Sequence, residues 1–104
     1  MAFKKDSKDL GNKILYEVVD PYFLQQMAVV LTYGARKYGL NNWKSAAQKE
    51  LHHYEGAIFR HMQSYRMGDF IDRDHNQSHL ASVAVNAMFL DYFRRKYQWG
   101  LGHV

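Results

Sequence analysis

Three carboxylates fall within six residues in the run Gly68-Asp69-Phe70-Ile71-Asp72-Arg73-Asp74-His75-Asn76. Asp69, Asp72 and Asp74 supply the hard oxygen ligands that Mg²⁺ prefers when it is shared with the phosphates of a substrate. An ion there could polarise a phosphoryl oxygen and activate a water. The plain alternative is a solvated turn in which aspartates cap and solubilise. Histidines at 52, 53, 61, 75 and 79 also invite a zinc reading, with His61 and His79 joined by Asp72 or Asp74. No H-E-x-x-H or Cys/His pattern accompanies them, so the zinc reading ranks below Mg²⁺.

Polar residues at positions where a helix wants apolar ones give a second signal. At 100° per residue, His79 and Asn86 share a stripe with Val83, Leu90 and Phe93, which points both inward. Glu55 and His61 flank a Leu51/Ile58/Met62 stripe on its two sides, and a carboxylate in such a place needs a partner or a metal. Taken singly, each is equally well a satisfied core polar group. Together, and beside the acidic loop, the four are expected to converge on one cleft. Arg36, Lys37, Lys44, Arg60, Arg66 and Arg73 fall near helix ends or loops, where cations grip phosphate oxygens or simply sit in solvent. Trp43, beside Asn41 and Asn42, could stack on a base while an amide reads its edge, or could plug the end of a bundle.

The elements that must position these residues are helical. Asp20-Pro21 is a helix start, an N-cap carboxylate followed by proline at the first helical position. Phe23, Met27, Val30, Leu31, Gly34 and Tyr38 recur at helical spacing until Gly39. Ser45 with Gln48 reads as a capping box for a second helix with the stripe Ala47, Leu51, Tyr54, Ile58, Met62 and Tyr65, ending at Gly68. The segment 68–77 reads as a polar loop, and Ser78 as the N-cap of a third helix running to about Trp99. Residues 1–12 read as a flexible arm, 13–104 as a single domain, and Lys13 to Val19 as a short, extended piece. The third helix is apolar on two faces, with Leu80, Val83, Ala87, Leu90 and Tyr97 on one and Val85, Met88, Phe89 and Tyr92 on the other. Such a helix is sandwiched, and one short chain is expected to recruit a second copy to do it. The fold class is therefore all-α: three main helices, with a long helical hairpin completing a helix bundle by homo-oligomerisation.

Composition narrows the classes further. A chain of 104 residues with 47% hydrophobic and 15% aromatic residues is folded, and charge interrupts every apolar run before it could span a membrane. The absence of cysteine removes disulfides, thiolate nucleophiles and cysteine-based zinc sites. No cleavable-looking apolar stretch follows Met1, so the expected location is a reducing cytoplasm. A net charge of +4 favours anionic ligands in general. Nucleic acid is not expected, because no aromatic or recognition-helix pattern accompanies Arg94-Arg95-Lys96.

The run Val30-Leu31-Thr32-Tyr33-Gly34-Ala35-Arg36-Lys37-Tyr38-Gly39, followed by Asn42-Trp43, resembles the signature of phage and bacterial dATP/dGTP diphosphohydrolases, relatives of the MazG-like all-α pyrophosphohydrolases. Tyr54-Glu55 with Ala57 and Arg60-His61, Gly68-Asp69, Asp72-x-Asp74, His79-Leu80 and Asn86-Ala87 continue the likeness in order, over about Asp20 to Phe93. The resemblance implies hydrolysis of a purine deoxynucleoside triphosphate to monophosphate and pyrophosphate with Mg²⁺ or Mn²⁺. It makes Glu55, Asp69, Asp72 and Asp74 the metal-side acids, with Glu55, Asp72 and His79 at the reaction centre. Arg60, His61 and His79 would contact phosphate or orient water, with Asn86 in the same pocket, Arg36 and Lys37 on phosphate, and Asn42 and Trp43 near the base.

Asp69 and Asp74 are shorter by a methylene than the family's usual acids, His75-Asn76 replaces a Ser-Gly pair, and Asn86 stands where MazG relatives carry an acidic ligand. These departures motivate an alternative, a non-catalytic protein that holds a nucleotide or nucleotide signal in the same pocket and releases it unchanged. Remodelling of nucleotide pools by a phage, in the host cytoplasm, would be the use of the enzyme.

Overall fold

The computed structural model describes residues 11–47 and 50–98. A 3₁₀ turn at Tyr16–Val18 stands where an extended piece was expected, and α1 follows over Pro21–Tyr38. Its start is local chemistry: Asp20 Oδ1 accepts from the Tyr22 N–H at 3.1 Å, and proline occupies the first turn. Its end is Gly39, whose N–H donates to the Ala35 carbonyl at 2.8 Å while the backbone takes φ 102°, ψ 150°. Asn41 then enters the left-handed region at φ 59° and leads into a 3₁₀ turn at Asn42–Ser45.

That turn displaces the start of the second helix. The Ser45 hydroxyl donates back to the Asn42 carbonyl at 2.7 Å, and Ala46 is extended, so Ser45 caps nothing downstream. Helix α2 spans Leu51–Arg66 with Glu50 at its N-cap; Gln48, the other half of the expected capping box, lies outside the described residues. Two tyrosines tie the connector to the helices: Tyr54 donates to the Trp43 carbonyl at 3.5 Å and Tyr97 to the Ala46 carbonyl at 3.2 Å.

The expected loop at 68–77 contains a small hairpin. Strands β1 (Ile71–Asp72) and β2 (Gln77–Ser78) pair antiparallel, with Ile71 opposite Ser78 and Asp72 opposite Gln77. Asp72 Oδ1 accepts from the Asp74 N–H at 2.9 Å, and Asn76 adopts φ 59° to close the turn. Helix α3 begins at His79, where Ser78 Oγ accepts from the Leu80 N–H at 3.0 Å as expected of an N-cap, and it is described to Gln98. Trp99, the expected end, and residues 1–10 of the expected arm lie outside the described residues.

Helix α3 is the hub. It packs most extensively against α2 and also against α1. Part of the cover over its two apolar faces thus comes from the same chain, through α1 and α2. The buried apolar residues among those described are Ala81, Val85, Tyr92 and Phe93, all on α3. Around Phe93, completely buried, gather Trp43, Tyr54, Tyr92 and Tyr97, with ring centroids 5.1–6.2 Å away. Each such pair adds about 0.5–1.5 kcal/mol beyond its area burial. Gln26 of α1 accepts from the Ser78 N–H at 2.9 Å and so fastens the hairpin to the first helix. No described helix is long and apolar enough to cross a membrane.

Candidate functional site

One carboxylate oxygen faces three imidazoles. Asp72 Oδ2 lies 3.7 Å from His61 Nδ1, 3.7 Å from His75 Nε2 and 3.9 Å from His79 Nδ1. Each arrives from a different local cause: His61 from the third turn of α2, Asp72 from β1, His75 from the hairpin turn, and His79 from the first residue of α3. His61 Nδ1 and His79 Nδ1 are 2.8 Å apart.

Hydrogen bonding fixes the tautomer of His75. Its Nδ1 accepts from the Gln77 N–H at 3.2 Å, so the proton sits on Nε2, which faces Ser82 Oγ at 3.2 Å and Asp72. Tyr33 presses edge-on against the same ring, centroids 5.8 Å apart. His75 therefore donates to Ser82, with Asp72 Oδ2 3.7 Å from the same nitrogen. Burial pushes the His61 pKa below the usual histidine value, against the opposing pull of Asp72 and with reinforcement from His79, His75 and Arg60.

His61, Asp72 and His75 of this cluster line one end of an open cleft of about 670 Å³. The other end is aromatic: Tyr38 of α1, Trp43 of the connector, Tyr54 of α2 and Phe89 of α3. Lys37 and Lys44 line it as well, along with Asn42, Asp74 and Asn86. Lys37 Nζ lies 5.2 Å from the Tyr38 ring centre, and the Tyr38 hydroxyl, then Tyr33 and Asp74, raise its pKa. Trp43 is already engaged, stacked on Phe89 at 4.5 Å with edge contacts to Tyr92 and Phe93. It plugs the bundle end and forms a wall of the cleft at the same time. The Asn86 amide donates to the Ser82 carbonyl one turn back at 2.8 Å.

The structure brings His61, Asp72, Asp74, Asn86, Asn42, Trp43 and Lys37 to this cleft, with His79 buried behind His61 and Asp72, and leaves other expected residues outside it. Glu55 is exposed and is neither in the lining nor in the cluster. The reason is helical phase: Glu55 and His61 are six residues apart, about 240° around α2, so the helix cannot turn both toward α3. Arg36 and Arg60 are exposed outside the lining, the Arg60 guanidinium lying back over Gly56. Asp69, 63% exposed, stands behind the cluster with Oδ2 at 3.6 Å from His79 Nε2. The four acids expected around Mg²⁺ thus do not gather. Two imidazoles and one carboxylate do: His61, Asp72 and His79 present ligand atoms within 4.8 Å of one another. Sequence spacing gave His75 no part beyond the zinc reading and Ser82 none, because their places depend on the hairpin closing over the start of α3.

The described residues thus form a three-helix domain with an open cleft, aromatic at one end and carrying a histidine–aspartate cluster at the other. The chain belongs to the family described as dATP/dGTP diphosphohydrolase, N-terminal, which it matches over residues 4–100. Comparison with curated proteins and with solved structures gives no match.

Proposed function

We propose that the cleft binds a purine (deoxy)nucleoside triphosphate and that the domain hydrolyses it to monophosphate and pyrophosphate, in keeping with the activity its family's description names. The observation that carries this reading is the two-ended cleft. Its aromatic end offers π-faces to a base, its two lysines face the phosphates, and its histidine–aspartate end suits a divalent ion. A divalent ion held there supplies Lewis acidity toward the phosphoryl oxygens. Asp74 lines the cleft without joining the imidazoles, and in this reading it takes a proton from the attacking water. Lys37 and Lys44 neutralise the charge of the leaving pyrophosphate.

The test is incubation of the protein with a panel of ribo- and deoxynucleotides and divalent ions, followed by chromatography of products and of protein-bound ligand. Pyrophosphate release abolished by Asp72→Asn, and lowered about 10²–10⁴-fold by Asp74→Asn with nucleotide affinity retained, is expected. The scattered acids favour a second reading, in which the same pocket holds a nucleotide and returns it intact. Recovery of unaltered nucleotide from denatured protein, with no pyrophosphate formed, would decide for that reading.

We infer further that the working form is a homo-oligomer in the cytoplasm, where a phage would use it to reshape nucleotide pools. Tyr22 and Leu24 of α1 and Phe59 of α2 are all more than half exposed, while the buried apolar residues among those described are confined to α3. A second copy is the partner that would cover such faces on α1 and α2. Light scattering coupled to size exclusion reads the mass; a 12.3 kDa species at all concentrations counts against it.

A further inference from the structure

We propose that His61 Nδ1, His79 Nδ1 and Asp72 Oδ2 form a mononuclear site for a nitrogen-preferring first-row divalent ion, with Mg²⁺ a poor occupant. The three atoms make a triangle with edges of 2.8, 3.7 and 3.9 Å. A single point inside that triangle lies about 2.0 Å from all three corners, within the roughly 2.0–2.2 Å of zinc–nitrogen and zinc–oxygen bonds. The two nitrogens, 2.8 Å apart, nearly match the edge of an octahedral site, which at such bond lengths is about 2.9 Å.

A second observation points the same way. His79 is buried, and its Nε2 has no hydrogen-bond partner. With an ion on Nδ1, the ring's proton must reside on Nε2, which faces Asp69 Oδ2 at 3.6 Å. That is the carboxylate–histidine–metal arrangement of an outer shell, closed by a shift of a few tenths of an ångström. Without an ion, two ring nitrogens at 2.8 Å must share one proton; a cation between them would take that proton's place. His75 completes the surroundings as an N–H donor facing the ligating Asp72 oxygen.

The donor set decides the ion. Imidazole suits zinc, iron, cobalt and nickel, whereas Mg²⁺ demands an oxygen octahedron and gives up its waters reluctantly. The site stands whether or not the cleft takes a nucleotide, and its test contains none.

Tag-free full-length protein, stripped with chelator, is titrated with Co²⁺ and followed by visible absorption; Zn²⁺, Mn²⁺ and Mg²⁺ then compete. One Co²⁺ per chain is expected, with Co²⁺ and Zn²⁺ each bound at least about tenfold more tightly than Mg²⁺. Zn²⁺ should also shift the Nδ1 resonances of two histidines in ¹⁵N spectra. His61→Gln and Asp72→Asn should abolish the cobalt spectrum. Asp69→Asn, at a side chain that is 63% exposed, should weaken Co²⁺ about 10–100-fold while the melting temperature stays unchanged. Mg²⁺ displacing Co²⁺ at equal concentration, or cobalt binding undiminished in all three variants, would overturn the proposal.

Discussion

Two glycines five residues apart should respond to alanine with opposite signs. Gly34 lies inside α1 with ordinary helical geometry, and a Cβ built there meets nothing within 4 Å. Alanine at that position removes backbone freedom from the unfolded chain and meets no clash, so Gly34→Ala should stabilise by about 0.5–1 kcal/mol. Gly39 also has open space around a built Cβ, yet its φ of 102° and ψ of 150° lie in a region that is essentially glycine's alone. Gly39→Ala should therefore destabilise by about 1–3 kcal/mol through backbone strain alone. For a domain of this size, 1 kcal/mol moves the midpoint by about 4–8 °C, so the pair separates clearly in a thermal melt. Melts must share one protein concentration, since self-association would move every midpoint.

Gly34 has a second readout, because it is part of the cleft wall. Its variant should melt later and bind nucleotide more weakly, the new methyl standing where a ligand approaches the backbone. Both variants shifting in the same direction, or Gly34→Ala melting earlier than the parent, would refute the backbone reasoning.

Further outcomes follow from the packing and the electrostatics. Phe93→Ala should cost about 3–5 kcal/mol, because the ring is fully buried among four aromatic neighbours, and urea unfolding measures it. Gln26→Ala leaves the half-buried Ser78 N–H without its acceptor, so a loss of about 1–3 kcal/mol is expected, with faster hydrogen exchange at Ser78. His61 has a folded-state pKa below its unfolded value, so the unfolded chain takes up the proton first as pH falls. Metal-free protein should hold this contribution fully above the ordinary histidine pKa and lose it as pH drops through the lower folded value; chemical unfolding between pH 8 and pH 5 reads the slope. His61→Gln should flatten that dependence.

Local chemistry was legible in the sequence and context was not. The ends of α1 could be read because Asp20-Pro21 and Gly39 act on their own backbone, needing no distant partner. The start of α2 could not, since Ser45 has two possible uses and the left-handed Asn41 selects the 3₁₀ turn. Two-residue strands carry no periodicity to detect, so the hairpin passed for a loop. For the site, a stripe on α3 correctly turned His79 inward, because a seven-residue interval returns nearly to the same face. Glu55 was grouped with His61 by its nearness to an apolar stripe, and the helical phase between them separates the two. His75 needed the hairpin's closure, anchored by Gln26 from a position 52 residues before Ser78, and no pattern along the chain encodes that contact.

Helix α3 presents Ala81, Val85, Tyr92 and Phe93 to the core, and His79, Ser82 and Asn86 to the cleft and its cluster, within one continuous rod. Mutational drift in this domain is therefore constrained twice over: a change that reshapes ligand preference on α3 also alters the scaffold's ability to fold. New specificities are reached more readily through α1, none of whose residues is fully buried, so laboratory selection for altered substrates should accumulate substitutions there first.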